Sequence, residues 1–273
     1  MIYNNLLFLL LITTFSNYII KKDIVYKLNN CCLTCPDICK YRMLSENLTI
    51  FYETEYIIIC GNKDIYKPDG VKIGEYINTI FSFISYKNIK ESIKKNKIVY
   101  MVGNSAREFE EFKVFEDIKS TEGFRNLIDI QAFSNNGIYP GYLKNLFSGC
   151  NSDYQHEDII FHEIIHSIHL SGMTFKQRED IKKLYDKYKI PNSKYNINSY
   201  AFLNEMEFFA EMMQVYGKLT LRSDVTAGIS YTYLKNKMKD FILFVNSSIY
   251  TEDDLKKLKK QLCYIKQCDY CKY

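Results

Sequence analysis

Four histidines occur in the 273-residue chain, and all of them fall within fourteen residues: His156, His162, His166 and His169. Residues 162–166 spell H-E-x-x-H in a segment of helical periodicity, where positions i and i+4 project from one face a turn apart. That separation suits two imidazoles binding one zinc ion, with Glu163 between them placed to act on water as a general base. A catalytic zinc takes three ligands from the protein, so the pair needs a third.

His169 shares the stripe at i+7. At about 1.5 Å rise per residue it stands about 10 Å along the axis from His162, too far for one tetrahedral ion to hold both with His166. The metzincin pattern HExxHxxGxxH turns the chain at a Gly, but here that position is His169 and the last His position is Gly172. His169 is therefore expected at the helix end or behind a ligand, not on the metal. A better source of the third ligand is 200-YAFLNEMEFFAEMMQVYG-217. Glu207 and Glu211 lie at i and i+4 there, on a face otherwise made of Phe208, Phe209, Met212 and Val215. Ionised carboxylates rarely stay buried unless paired or bound to a metal. Glu205 falls off that stripe and reads as a helix-start residue.

These side chains need a scaffold. Short apolar runs at 56–60, 97–102 and 126–133 read as strands, with a helical stretch over 71–95. Asn-Asn-Gly and Pro-Gly mark 134–141 as a turn-rich loop. Apolar recurrence predicts helices over 156–170, 174–189, 204–218, 229–246 and 251–265. Strands early and helices late make an α+β chain, and no 20–50-residue period points to a repeat protein.

The two blocks HEIIHSIH and YAFLNEMEFFAEMMQVYG together resemble the catalytic domain of the anthrax toxin lethal factor family, secreted zinc endopeptidases of the gluzincin type. The resemblance rests directly on about 161–172 and 200–217. It implies a zincin-like fold, a small mixed sheet with a mainly helical C-terminal half, and one zinc ion per chain. It implies His162, His166 and Glu207 as metal ligands and Glu163 as the general base. Tyr200 would assist the oxyanion or leaving group, and Glu211 would orient a ligand histidine from behind. The substrate would be a protein or peptide.

Residues 6–15, LLFLLLITTF, have the length and character of a signal-peptide core, so residues 1–20 read as a leader removed on export, a retained anchor being the alternative. The expected location is extracellular, with no stable membrane association after removal. Export suits nine cysteines, four of them in 31–39 and three in 263–271. The simple arrangement is a staple joining the two ends with a Cys60–Cys150 bridge; a zinc cluster from Cys32-x2-Cys35 and Cys268-x2-Cys271 is the rival. Asn47 and Asn246 begin glycosylation sequons. The expected organisation is a Cys-rich segment 21–45, a metallopeptidase domain 46–262 and a Cys-rich tail 263–273. A net charge of +4, spread along the chain, offers no block to track phosphates, so nucleic acid is not an expected partner. A secreted, non-catalytic binding protein on the same fold is the alternative function.

Overall fold

A computed structural model describes residues 48–62, 67–95, 97–103, 138–142, 156–189, 197–266 and 269–272. The chain divides into two units, Met1–Lys40 and Tyr41–Tyr273, and every described residue belongs to the second. The leader, the cysteines at 31–39, the Asn47 sequon and the expected strand at 126–133 lie outside the described residues, as does Cys150.

The unit is mixed α+β, with one small sheet and mostly helices. Strand β1 (Leu48–Glu53) pairs antiparallel with β2 (Ile57–Asn62), with a register shift between Ile50 and Tyr52. Helices α1 (Lys67–Ser82) and α2 (Lys87–Lys95) then carry the chain to β3 (Ile98–Gly103), which pairs parallel with β2. Ile57, Ile58 and Ile59 are buried in succession, the pattern of a strand covered on both faces. Strand β4 (Ile138–Tyr142) pairs parallel with β3 and completes the order β1-β2-β3-β4.

One expectation is corrected here. Residues 138–141, read as part of a loop, are β4; β4 lies at the edge of the described sheet, the place in a sheet where a proline is tolerated. The 97–102 run, read simply as a strand, gives β3, which is paired on both sides and so offers no free edge to a substrate strand. Strand β1 is not among the expected strands, although Thr, Ile, Phe and Tyr in succession are strand formers.

The helical half begins with α3 (Ile159–Ser167), which runs into a π-helical turn (Ile168–Gly172) closed by the Met173 N–H on the Ile168 carbonyl. A Cβ on Gly172 would come within 2.9 Å of Ile89, so the absent side chain lets α2 pack against this turn. The Ser92 hydroxyl, on α2, donates to the Ser171 carbonyl at 2.6 Å, and Arg178 caps the Leu170 carbonyl at 2.9 Å. Helix α4 (Phe175–Tyr188) starts at a Thr174/Gln177 capping box. After a 3-10 turn (Tyr200–Phe202) comes α5 (Glu205–Gly217), the centre of the helical layer: every residue from Phe208 to Gly217 is buried. Each fully buried Phe contributes about 1.5–3 kcal/mol, and Phe208 packs against Phe202 and Phe241 at ring separations of 5.8 and 6.0 Å.

The single helix expected over 229–246 is two, α6 (Tyr231–Lys237) and α7 (Lys239–Ser248), broken at Met238 (φ −116°, ψ 47°). Met238 is fully buried, so packing sets the bend. Asn246, expected in a glycosylation sequon, sits in α7 with its Oδ1 accepting from the Tyr216 hydroxyl at 3.0 Å. Helix α8 (Glu252–Lys266) extends past 263, and Cys263 on it is bonded to Cys271. That disulfide closes within the tail. It removes both residues from a staple to the 31–39 segment and removes Cys271 from the CxxC zinc pair. No described helix is long and apolar enough to cross a membrane.

Helix α1 packs on β1 through two glycines: a Cβ on Gly70 would overlap the Phe51 ring and one on Gly74 the Tyr52 ring. Gly74→Val gains helix propensity of well under about 1 kcal/mol, against about 1–3 kcal/mol for overpacking. Chemical denaturation of this variant should show a net loss of stability; an unchanged midpoint would mean the helix and strand are not closely apposed.

Candidate metal centre

The site is built where α3 meets α5, and each helix is started by a side chain that fixes its register. Asp158 caps α3, its Oδ1 accepting from the Phe161 N–H at 3.1 Å, while its Oδ2 takes the Tyr76 hydroxyl of α1. Asn204 caps α5, its Oδ1 accepting from the Met206 and Glu207 N–H groups at 2.9 Å each. Glu207 thus stands in the first turn of α5, where the helix dipole favours negative charge.

His162 and His166 present their Nε2 atoms 3.0 Å apart, and one oxygen of Glu207 lies 3.0 Å from the first and 3.3 Å from the second. The two imidazoles meet edge to face, with centroids 4.7 Å apart. A tetrahedral ion with bonds of about 2.0–2.1 Å spaces its donors by about 3.3–3.4 Å. The observed triangle is within a few tenths of an ångström of that, and its two nitrogens and one oxygen are a donor set for a borderline divalent metal. Among the described residues this is the group of three that can hold a metal ion.

Charge points the same way. His162, Glu163, His166 and Glu211 are all buried, and the Glu207 side chain is 15% exposed. Three carboxylates and two imidazoles in one desolvated seam carry surplus negative charge that protons or a cation must offset. Burial disfavours a charged His162, but the Glu207 hydrogen bond and the Glu211, Glu207 and Glu163 charges outweigh it and raise its pKa to about 10. Burial acts to raise Glu207 too, yet hydrogen bonds from both histidines hold it well below the usual carboxylate range. Glu163 is pushed up, by burial first. Its Oε2 is buried without a hydrogen-bond partner, as is the Oε2 of Glu211, whose pKa burial raises to about 8.

The other nitrogen of His162 faces away from the triangle, 3.4 Å from Glu211 Oε1 and 3.4 Å from Gln214 Oε1. Gln214 is fully buried, and its amide donates to the Asp158 carbonyl at 2.9 Å. That donation fixes which way the amide points and leaves its oxygen as acceptor toward Nδ1. Nδ1 is then the nitrogen that keeps its proton, leaving Nε2 to offer its lone pair once a metal displaces the proton there. Sequence reasoning missed Gln214, although it lies seven residues after Glu207 and three after Glu211 on the same helical stripe.

Tyr200 comes from the 3-10 turn, tilted over His162 at a ring separation of 6.2 Å and hydrogen-bonded to Glu207. Burial first, then the Glu207 and Glu163 charges, raise its pKa, so the phenol keeps its proton. His169 lies in the π-helical turn, outside the triangle. It packs edge-on to Phe209 at 5.4 Å, its Nδ1 has no hydrogen-bond partner, and burial lowers its pKa to about 4. His156 precedes α3 and is not part of the triangle. Beside it, buried Glu157 pairs with Arg222 at 2.8 Å.

Comparison with protein-family models, curated proteins and solved structures finds no match. The site's chemistry therefore rests on its own residues: a ligand triangle, a buried carboxyl beside it and a protonated phenol over it.

A metal must displace the proton that His162 holds in the metal-free protein. Below its raised pKa the proton competes, so affinity for zinc should rise with pH from neutrality toward about 10 and level off above. Calorimetric titration in two buffers of different ionisation enthalpy should show proton release on uptake at pH 7; a buffer-independent enthalpy would mean that no proton is displaced from His162.

Proposed function

We propose that this protein is a secreted zinc metalloendopeptidase with a zincin-like fold, akin to the lethal factor catalytic domain that its two motif blocks resemble. The observation that carries the reading is the convergence of His162, His166 and Glu207 to edges of 3.0–3.3 Å, with Glu163, one of whose carboxyl oxygens has no hydrogen-bond partner, between the two histidines on α3.

His162, His166 and Glu207 would hold the zinc. The chemistry such an ion supplies when bound is Lewis acidity, which polarises a carbonyl and makes water acidic near neutral pH. Glu163 then acts as the general base: burial raises its pKa toward the working range, so it can take a proton from the attacking water and pass it to the departing amine. Tyr200 keeps its phenolic proton and can donate it in a hydrogen bond to the oxygen on which charge develops. Glu211 and Gln214 hold His162 in the ligating tautomer through Nδ1. The substrate class is a protein or peptide.

The test compares the full chain with two variants on a peptide library read by mass spectrometry. Glu163→Gln should retain its zinc and lose cleavage, and Tyr200→Phe should retain zinc and lose about 100-fold in kcat. Cleavage that persists in Glu163→Gln would contradict the assignment of the base. Zinc binding without cleavage by the wild type would favour the non-catalytic binding protein.

A further inference from the structure

The end of α5 away from the ligands opens onto a cleft. Two adjoining cavities, of about 310 and 520 Å³, share Lys218, Tyr231 and Lys259 as lining residues. Volumes of that order accommodate small-molecule ligands. Lys218 is the left-handed residue that ends α5 (φ 55°), and its ammonium lies 4.3 Å from the centre of the Tyr231 ring. Lys259 comes from α8 and is half-buried. Gly228 lines the smaller cavity, and a Cβ there would meet nothing within 4 Å. The Cys263–Cys271 disulfide bounds the larger cavity.

The charge in this cleft is unbalanced. Several other lysines meet carboxylates, among them Lys94 with Glu55, Lys97 with Glu53 and Lys187 with Asp240, at 3.0, 2.9 and 2.6 Å. Among the described residues no carboxylate is within ion-pair distance of Lys218 or Lys259. The acid on the rim, Glu252, is already engaged by Tyr231 and Lys235 at 3.0 Å each and by Lys256 at 3.4 Å. Burial and the charge of Lys218 both act against protonation of Lys259. Lys218 and Lys259 line both cavities without a counter-charge, and two ammonium groups in one concave site repel each other.

We propose that this cleft binds the phosphate group of a small phosphorylated molecule, held between Lys218 and Lys259, with Tyr231 flanking the body of the ligand. A dianion with three acceptor oxygens answers both lysines at once, whereas one carboxylate would leave a lysine unneutralised. The cleft is lined by none of the residues of the metal centre, so the inference stands apart from the peptidase reading.

The test uses the full chain, with inorganic phosphate titrated against chloride at constant ionic strength and followed through the backbone amide resonances of Lys218, Gly228 and Lys259. Phosphate should give saturable shifts at these residues. The Lys218→Gln/Lys259→Gln double variant should bind at least about tenfold more weakly, while the charge-matched Lys182→Gln/Lys183→Gln control binds as the wild type does. In chloride the first double variant should melt at the same temperature as the wild type or higher, because a repulsion is removed. Absence of saturable shifts, or undiminished binding by that variant, would overturn the proposal. A lower melting temperature in chloride would also overturn it, assigning the lysines to the dipole at the end of α5.

Discussion

Everything at the α3–α5 seam depends on one electrostatic constraint: buried carboxylates must be compensated. Glu163, Glu207 and Glu211 are withdrawn from water beside His162 and His166, and the imidazoles alone do not neutralise them. Without a metal the balance is held by protons, on His162, whose pKa is raised, and on the carboxyls that burial pushes up. A divalent cation held by the triangle would replace those protons and relieve the same imbalance. The arrangement that makes the seam costly to bury is thus the one that could hold a metal ion.

Rigidity is what turns the constraint into geometry. The two helices are started by Asp158 and Asn204, and Gln214 ties α5 back to the cap of α3 through the Asp158 carbonyl. Asp158 also receives Tyr76 from α1, which packs on the sheet through Gly70 and Gly74. A chain of close contacts therefore runs from the sheet to the ligand triangle, and the apolar packing of α5 holds its ligand-bearing first turn against α3. Metal-ligating histidines need such support to present the correct nitrogen.

The parts of this site that are legible in the sequence are those with a helical period. His162 and His166 at i and i+4, and Glu207 and Glu211 on an apolar stripe, can be paired from residue spacing because periodicity and the cost of burying charge suffice. Gln214 obeys the same period but is uncharged, so nothing about its burial singles it out in an apolar run. The π-helical turn at 168–172 depends on α2 packing against Gly172, and the break at Met238 interrupts an apolar pattern that continues through Leu234, Phe241 and Val245. Both are decided by contacts distant in sequence. Strand β4 is hidden because Pro140-Gly141 is also turn chemistry, and its place at the edge of the described sheet reconciles the two. The Cys263–Cys271 pairing is equally beyond reach, since cysteine spacing does not determine connectivity.

X-ray absorption at the zinc edge of the zinc-loaded, disulfide-intact chain tests the central claim most directly. The account predicts one zinc per chain, nitrogen and oxygen neighbours at about 2.0–2.1 Å and the multiple-scattering signature of two imidazoles, with no sulfur. Sulfur neighbours at about 2.3 Å would place the metal on the cysteines, and failure to retain zinc would mean that the seam is balanced by protons alone.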